Sequence, residues 1–333
     1  MTGPARTREV GRGERVLPGL WRLRLPLPWP GIPHCNAWAL AAGDGIVLVD
    51  CGMHEPGSLS HLERALEMVG LRIELVRLLV CTHAHSDHYG QAGPVMQRAG
   101  CELWMHPDHG HTTAAAVDPQ AALARRLEIA RSAGVPEEPL RRWAQAGQAK
   151  SSGIAEIVAP DRDLVAGVVV ETDLGPWQAI ETPGHAPSHV CLFQPQRRLL
   201  ISGDHVLGRV SLYYDYGYTP DPVGEFLTSL DRVEGLDARL GLSGHGRTFS
   251  DVEGHVVASR EAVAERVTAV EAALRDAGPV SAFDVVARVF GEAPSDAGAG
   301  RWLGETLCYL RHLEVAGRAV RDGSAPERWS LAR

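Results

Sequence analysis

With 333 residues, 44% of them apolar, the chain suggests about two domains and carries enough core-forming side chains to exclude a disordered protein. A formal charge of −8, with Lys150 the single lysine, argues against a basic surface for nucleic acid or anionic membrane. The six cysteines are scattered, as in reduced cytoplasmic proteins, and neither a signal-peptide core nor a membrane-length apolar run is present.

In chain order, "NAWALAAGDGIVLVDCG" reads as two strands around a turn at Gly43, Asp44 and Gly45. Leu59, Leu62, Leu66 and Val69 then share one helical face, with Ser60 and Glu63 spaced as a capping box and Gly70 as the stop. "IELVRLLVCT" is a buried strand feeding "HAHSDHYGQAG", whose right flank opens a helix. Asp118-Pro119 begins a helix in the N-cap and N1 manner and Gly134 stops it; another runs from about Glu137 to Ala149. From Ile154 the pattern returns to short apolar strands: "LVAGVVVETD", "WQAIETPGH", "HVCLFQ" and "LLISGD". Asp221-Pro222 opens a further helix, and "ARLGLSGHG" is one more strand. Two such alternations predict the α/β class and a four-layer αββα sandwich, sheets inside and helices outside.

A long helix from about Val256 to Asp276, two more helical stretches and a two-strand ribbon follow. That order is a winged-helix pattern, which divides the chain into residues 1–254 and a C-terminal winged-helix domain, 255–333. The tail has ten arginines against eleven acids, so a packing or dimerisation role is expected rather than DNA reading.

His83, His85, Asp87 and His88 fall within six residues just where a buried strand ends. Alternate residues of a tight loop point the same way, so His83 and His85 can grip one ion while Asp87 and His88, past the turn, face a second. Three later strand ends also place a ligand beside glycine: His185 in "TPGH", Asp204 in "SGD" and His245 in "SGHG". Seven nitrogen and oxygen ligands are what two adjacent divalent ions need if one carboxylate bridges them. Imidazole and carboxylate suit zinc, iron or manganese; zinc is expected, with iron or manganese as the alternatives.

"THAHSDH" followed by "TPGH", "SGD" and "SGHG" resembles the metallo-beta-lactamase superfamily with the glyoxalase II-type ligand set, over about Leu20 to Phe249. The resemblance implies that His83, His85 and His185 bind one metal, that Asp87, His88 and His245 bind the other, and that Asp204 bridges them. It also implies that Asp50 in "LVDCG" is a buried aspartate orienting the metal loop. The "GHG", long helix and winged-helix tail are similar to the lactamase-beta-2-like branch, generic hydrolases of which some cut single-stranded RNA. By the same resemblance, Trp29 and His34 on one side and Tyr213, Tyr214, Tyr216 and Tyr218 on the other are candidate substrate-wall residues. His106, His109 and His111 match no family position and are expected in surface or loop roles. His189 and His205 follow ligand positions and read as supporting or packing residues.

Two divalent ions roughly 3.5–4 Å apart lower the pKa of a shared water toward 7 and supply hydroxide at neutral pH. Asp87, as a proton shuttle, and Asp204, as the bridge, are the catalytic candidates. No "GxSxG" elbow competes with this chemistry. The expected function is hydrolysis of a small thioester, ester or lactone. The alternative is a single-stranded RNA phosphodiesterase, disfavoured because no basic track is evident, although folding could gather Arg125, Arg126, Arg141 and Arg142. Acyl-homoserine lactonases of the superfamily carry a tyrosine three residues after the bridging aspartate; Leu207 stands here, which lowers that reading. The bridging Asp204 speaks against a beta-lactamase. A small-molecule substrate is the expected partner, with no membrane, and a homodimer is the candidate assembly.

Overall fold

Apolar residues on both faces of short strands dictate the architecture, because such strands need cover on both sides. The computed structural model describes residues 10–148, 151–291 and 299–333; residues 1–9 and Ala149, the expected end of a helix, lie outside these. The first half comprises β1 (Arg12–Leu17), β2 (Leu20–Trp29), β3 (Ile32–Ala42), β4 (Gly45–Val49), α1 (Ser58–Glu67), β5 (Val76–Val80), α2 (Ser86–Tyr89), α3 (Ala92–Ala99) and β6 (Glu102–Met105). Helices α4 (Gly110–Val117), α5 (Pro119–Ser132) and α6 (Glu137–Gln148) precede β7 (Arg162–Asp163), β8 (Val169–Val170), β9 (Trp177–Glu181), β10 (Val190–Gln194) and β11 (Leu199–Gly203). The chain ends with α7 (Pro222–Glu234), β12 (Leu240–Ser243), α8 (Val252–Ala277), α9 (Ala282–Phe290), α10 (Ala299–Val315), β13 (Ala319–Arg321) and β14 (Trp329–Leu331).

Strands β1 to β7 form one sheet in sequence order, antiparallel as far as β4 and parallel from β4 to β7. A second sheet has the order β12-β11-β10-β9-β8, with β11 and β12 parallel. Alternation along β4 sends Val47 and Val49 into the apolar layer between the sheets, and Ile46 and Leu48 toward α1 and α3. On β10, Val190 and Leu192 face the same inter-sheet layer, whereas Cys191 and Phe193 face α7 and α8. The layers are therefore helix, sheet, sheet, helix.

Local chemistry starts the helices. Asp118, Asp221 and Asp251 each accept a backbone N–H at 2.9 Å, from Ala121, Gly224 and Gly254, ahead of α5, α7 and α8. The capping box expected at Ser60 and Glu63 does not form. Helix α1 begins at Ser58 behind the left-handed Gly57, so Ser60 is already inside it. The expected long strand in "LVAGVVVETD" is only the two residues of β8, because a turn at Thr172 to Gly175 ends the pairing.

The long helix starts one turn earlier than expected. Helix α8 begins at Val252, so the boundary drawn at 254/255 falls in its first turn. Val263, Val267 and Leu274 of α8 share one apolar cluster with Phe226 and Leu230 of α7 and Leu307 and Leu310 of α10. Strands β13 and β14 form an antiparallel ribbon after the three helices. The tail also docks on α5, where Phe283 N–H and Glu327 N–H donate to the carbonyls of Ala133 and Ser132 at 2.9 Å. Among the described residues no helix is long and apolar enough to cross a membrane.

Candidate metal centre

Parallel strands β4 and β5 end side by side, and the loops leaving them build the centre. Asp50, just past β4, adopts φ 64, a left-handed conformation rare outside glycine that turns its buried carboxylate toward the next loop. Its Oδ1 accepts Thr82 N–H at 2.8 Å, and its Oδ2 meets His88 Nδ1 at 2.8 Å. The Thr82 hydroxyl, which donates to the same carboxylate, lies 3.0 Å from His83 Nδ1. Asp50 thus ties the loop after β5 to the end of β4 through Thr82 and His88. His85 closes that loop, and the single turn of α2 carries Asp87 and His88.

The other three expected ligands arrive from the second sheet. His185 follows β9, Asp204 follows β11 and His245 follows β12. Glycine makes the approach feasible: a Cβ at Gly244 would lie 2.2 Å from Asp204 Oδ1 and 2.6 Å from His88 Cε1.

All seven expected ligands come together. His85 Nδ1 lies 3.0 Å from both His83 Nε2 and His185 Nε2. Asp204 Oδ2 is 3.1 Å from His245 Nε2 and 3.8 Å from His185 Nε2, and its Oδ1 is 3.5 Å from His88 Nε2. Asp87 Oδ2 lies 3.1 Å from His245 Nε2 and 3.5 Å from His88 Nε2. Asp204 therefore sits between a His83, His85 and His185 group and an Asp87, His88 and His245 group.

Each ring is already engaged on its far side. His83 meets Thr82, His85 meets Asp215, His88 meets Asp50, His185 meets the Tyr213 carbonyl at 3.2 Å and His245 meets the His34 carbonyl at 3.0 Å. With those N–H groups donated outward, the bare nitrogens of His83, His85 and His185 converge on one small space, an arrangement that lone-pair repulsion disfavours unless a cation lies among them. Ligands about 2.0–2.1 Å from a tetrahedral ion stand roughly 3.3 Å apart, close to the 3.0 Å spacing of the first group. His88 Nε2 and Asp204 Oδ1 are buried without a hydrogen-bond partner. The residues present fit two divalent ions.

Electrostatics agrees. Burial, aided by neighbouring rings, holds His83 well below its ordinary range and His185 down at about 3, so both are neutral donors of a lone pair. Burial also disfavours charge on His245, but Asp204 and Asp87 outweigh it and raise that ring to about 10. His88 is raised in the same way, against burial, by Asp87, Asp204 and Asp50. Burial favours the neutral acids, yet His88 and His245 hold Asp87 and Asp204 below the usual carboxylate range. This half of the centre demands positive charge.

The expected substrate wall is only partly assembled. Residues 211–215 belong to no helix or strand, yet the side chains from Tyr213 to Tyr216 alternate between the centre and the core. Tyr213 faces the centre, its ring centroid 5.7 Å from that of His85 and 5.5 Å from that of His185. Asp215, and then burial, push its phenol above the ordinary range, so it stays a donor. Tyr214 is a correction: it points the opposite way into the core, 2% exposed and edge-on to Tyr309. Tyr216 is likewise a correction, packed against the same cluster as the C-terminal helices. Tyr218 is exposed, with Arg125 over its ring at 5.0 Å. Trp29 packs on the layer beneath α1 and α3, and His34 meets the centre through its carbonyl.

Of the surface or loop roles expected for "MHPDHGH", His106 and His109 lie in the loop between β6 and α4, whereas His111 lies inside α4. His106 and His111 are both 7% exposed, because α4 folds back beside the metal loop. His106 Nε2 lies 3.0 Å from Glu181. His111 Nε2 lies 2.8 Å from Ser188 Oγ, and its Nδ1 lies 2.8 Å from Asp215 Oδ2. Asp215 is the residue that sequence reasoning missed. Period-two alternation beside Tyr213 was the available signal. His189 Nε2 accepts Asp204 N–H at 3.1 Å, and His205 packs against Phe226.

Residues 30–245 match the family profile of the metallo-beta-lactamase superfamily. The atrochrysone carboxyl ACP thioesterase of Aspergillus chevalieri is 24% identical over 78% of this chain and 69% of its own length. The probable metallo-hydrolase YqjP of Bacillus subtilis is 26% identical over 75% of this chain and 79% of its own. A metallo-beta-lactamase family protein of Thermus thermophilus superposes with a TM-score of 0.80 at 27% identity, covering 95% of this chain and 100% of that one. A match of that extent reaches well beyond residues 30–245.

Proposed function

Because the chain belongs to the metallo-beta-lactamase superfamily, we propose that it is a metal-dependent hydrolase of a small thioester, ester or lactone. The observation that carries this is the convergence of seven ligands on two groups that share Asp204. His83, His85 and His185 would hold one divalent ion and Asp87, His88 and His245 the other, with zinc the first expectation and iron or manganese the alternatives, since imidazole and carboxylate suit all three. Such a pair of ions supplies a water acidified toward pH 7 and an electrophile for a carbonyl oxygen. Asp204 balances charge between the two groups. Asp87, 3.1 Å from His245, is placed to take and return a proton at the same position. Tyr213, neutral and beside His185, offers an apolar ring and a hydroxyl at the rim.

The thioester variant draws support from the fungal relative named as an ACP thioesterase. The RNA alternative draws less, because Arg125 is engaged with Gly217 and Tyr218 and Arg142 with Glu138. Residues 255–333 are read as a winged-helix module, supported by three helices followed by a ribbon; packing on the catalytic unit is its assigned role and a homodimer the alternative. Six free thiols, five of them buried, favour a reducing, cytoplasmic setting.

One metal-loaded sample should be assayed against acyl thioesters, esters, lactones and single-stranded RNA, with Asp204→Asn as the control for contaminants. Acyl turnover that changes little with salt, with intact RNA, is expected. Salt-sensitive RNA cleavage that vanishes in the control, without acyl turnover, would overturn the reading.

A further inference from the structure

Residues 211–216 are held between the ligand cluster and the C-terminal helices. On the outer side Tyr214 lies edge-on to Tyr309 of α10, ring centroids 5.7 Å apart. Arg301, also on α10, sits 5.6 Å from the Tyr213 ring centroid and donates to the Leu212 carbonyl at 3.3 Å. On the inner side Asp215 Oδ2 lies 2.9 Å from His85 Nε2 and 2.8 Å from His111 Nδ1. Asp215 is also pinned by its backbone, whose N–H donates to the His185 carbonyl at 3.2 Å.

We propose that Asp215 is the positioning residue for His85, and that α10 fixes Asp215, so that the C-terminal helices govern ion affinity as well as the fold. The proposal rests on the reading of His83, His85 and His185 as one ion's ligands. When His85 donates its Nε2 proton to Asp215, Nδ1 keeps the bare lone pair, and Nδ1 is the atom 3.0 Å from both partner nitrogens. The same carboxylate oxygen takes the N–H of His111. His111 Nε2 then accepts from the Ser188 hydroxyl at 2.8 Å, and Ser188 Oγ accepts Ala84 N–H at 3.1 Å. Ala84 lies between His83 and His85, so the chain of bonds closes on the metal loop from its far side. Without Asp215 the His85 ring loses the acceptor that selects its tautomer and its angle. Partners of this kind alter metal affinity by about 10–100-fold.

The test is zinc binding by the full chain, measured by competition with a chromophoric chelator, together with the melting temperature of each metal-free variant. Wild type should bind two zinc ions. Asp215→Ala should bind one of them about 10–100-fold more weakly and leave the other unchanged. Asp215→Asn, which retains a carbonyl acceptor, should recover most of the loss. His85→Ala combined with Asp215→Ala should be no weaker than His85→Ala alone, a coupling that a general structural defect would not produce. Tyr309→Leu and Arg301→Ala should weaken the same ion by about 2- to 30-fold. If Asp215→Ala binds both ions as wild type does, or loses both equally, the positioning role is wrong. If it weakens one ion while both α10 variants bind normally, control by the C-terminal helices is wrong. A wild-type chain that binds no zinc overturns the metal-centre reading itself, and the proposal with it.

Discussion

Adding one methyl group at Gly244 probes the centre most directly. A Cβ there would meet Asp204 Oδ1 at 2.2 Å and His88 Cε1 at 2.6 Å, where real Cβ atoms keep at least 3.0 Å. About 0.8 Å must be found by moving Asp204, His88 or the strand end that carries His245, each a residue proposed to hold an ion. Overpacking of this kind costs roughly 1–3 kcal/mol, which a stable domain survives. A misplacement of about 1 Å in a reacting constellation costs about a hundredfold in rate. Gly244→Ala should therefore fold, with a melting temperature lowered by several degrees, bind zinc more weakly and turn over about a hundredfold more slowly. Gly246→Ala is the matched control: its φ of 76 imposes backbone strain, but no atom lies within 4 Å of its new Cβ. Zinc titration, circular-dichroism melting and acyl turnover on both variants separate the two effects. Equal losses in the two proteins, or full zinc binding with normal turnover in Gly244→Ala, would refute the steric argument.

Three further outcomes follow from the same geometry. Gently purified or reconstituted protein should contain close to two divalent ions per chain by elemental analysis, and a free-ion concentration a hundred times the dissociation constant should stabilise it by about 2.7 kcal/mol for each ion bound, read in thermal melts. Asp204→Asn should keep the fold while losing at least one ion and most activity, because it removes the charge between the two ligand groups; unchanged stoichiometry and turnover would contradict the bridging role. Tyr214→Ala should destabilise by about 3 kcal/mol or more in urea unfolding, as large core aromatics do, whereas Tyr213→Ala should alter acyl preference with little change in stability.

Much of the centre was legible because its chemistry is local and rare. His83, His85, Asp87 and His88 declare themselves within six residues, and the strand ends at His185, Asp204 and His245 repeat one pattern of ligand beside glycine. The Asp-Pro pairs at 118 and 221 gave helix starts for the same reason, since a cap is a property of adjacent residues. Asp215 was hidden among four tyrosines, and only the tertiary contacts reveal that residues 213 and 215 face the His and Asp cluster while 214 and 216 pack on the core that includes α10. His111 was illegible because its partner Ser188 lies 77 residues away. Strand β2 offered a signal that went unread: Leu23, Leu25 and Leu27 alternate with Arg24 and Pro26, all the leucines facing α1 and α3. Helix α1 misled because a left-handed glycine replaced the side-chain cap.

The uninterrupted run of α8 has a consequence for how this chain can be recombined. Its first turn is capped by Asp251, only six residues past the ligand His245, and its last lies beside the tail's first helix. A cut at 254/255 would leave three residues of helix on one fragment and remove the cap from the other. Chimeras and fusions that exchange the tail should therefore break in the loop before Asp251, or carry α8 whole, and the two parts are expected to vary together in descendants of this gene rather than to shuffle as cassettes.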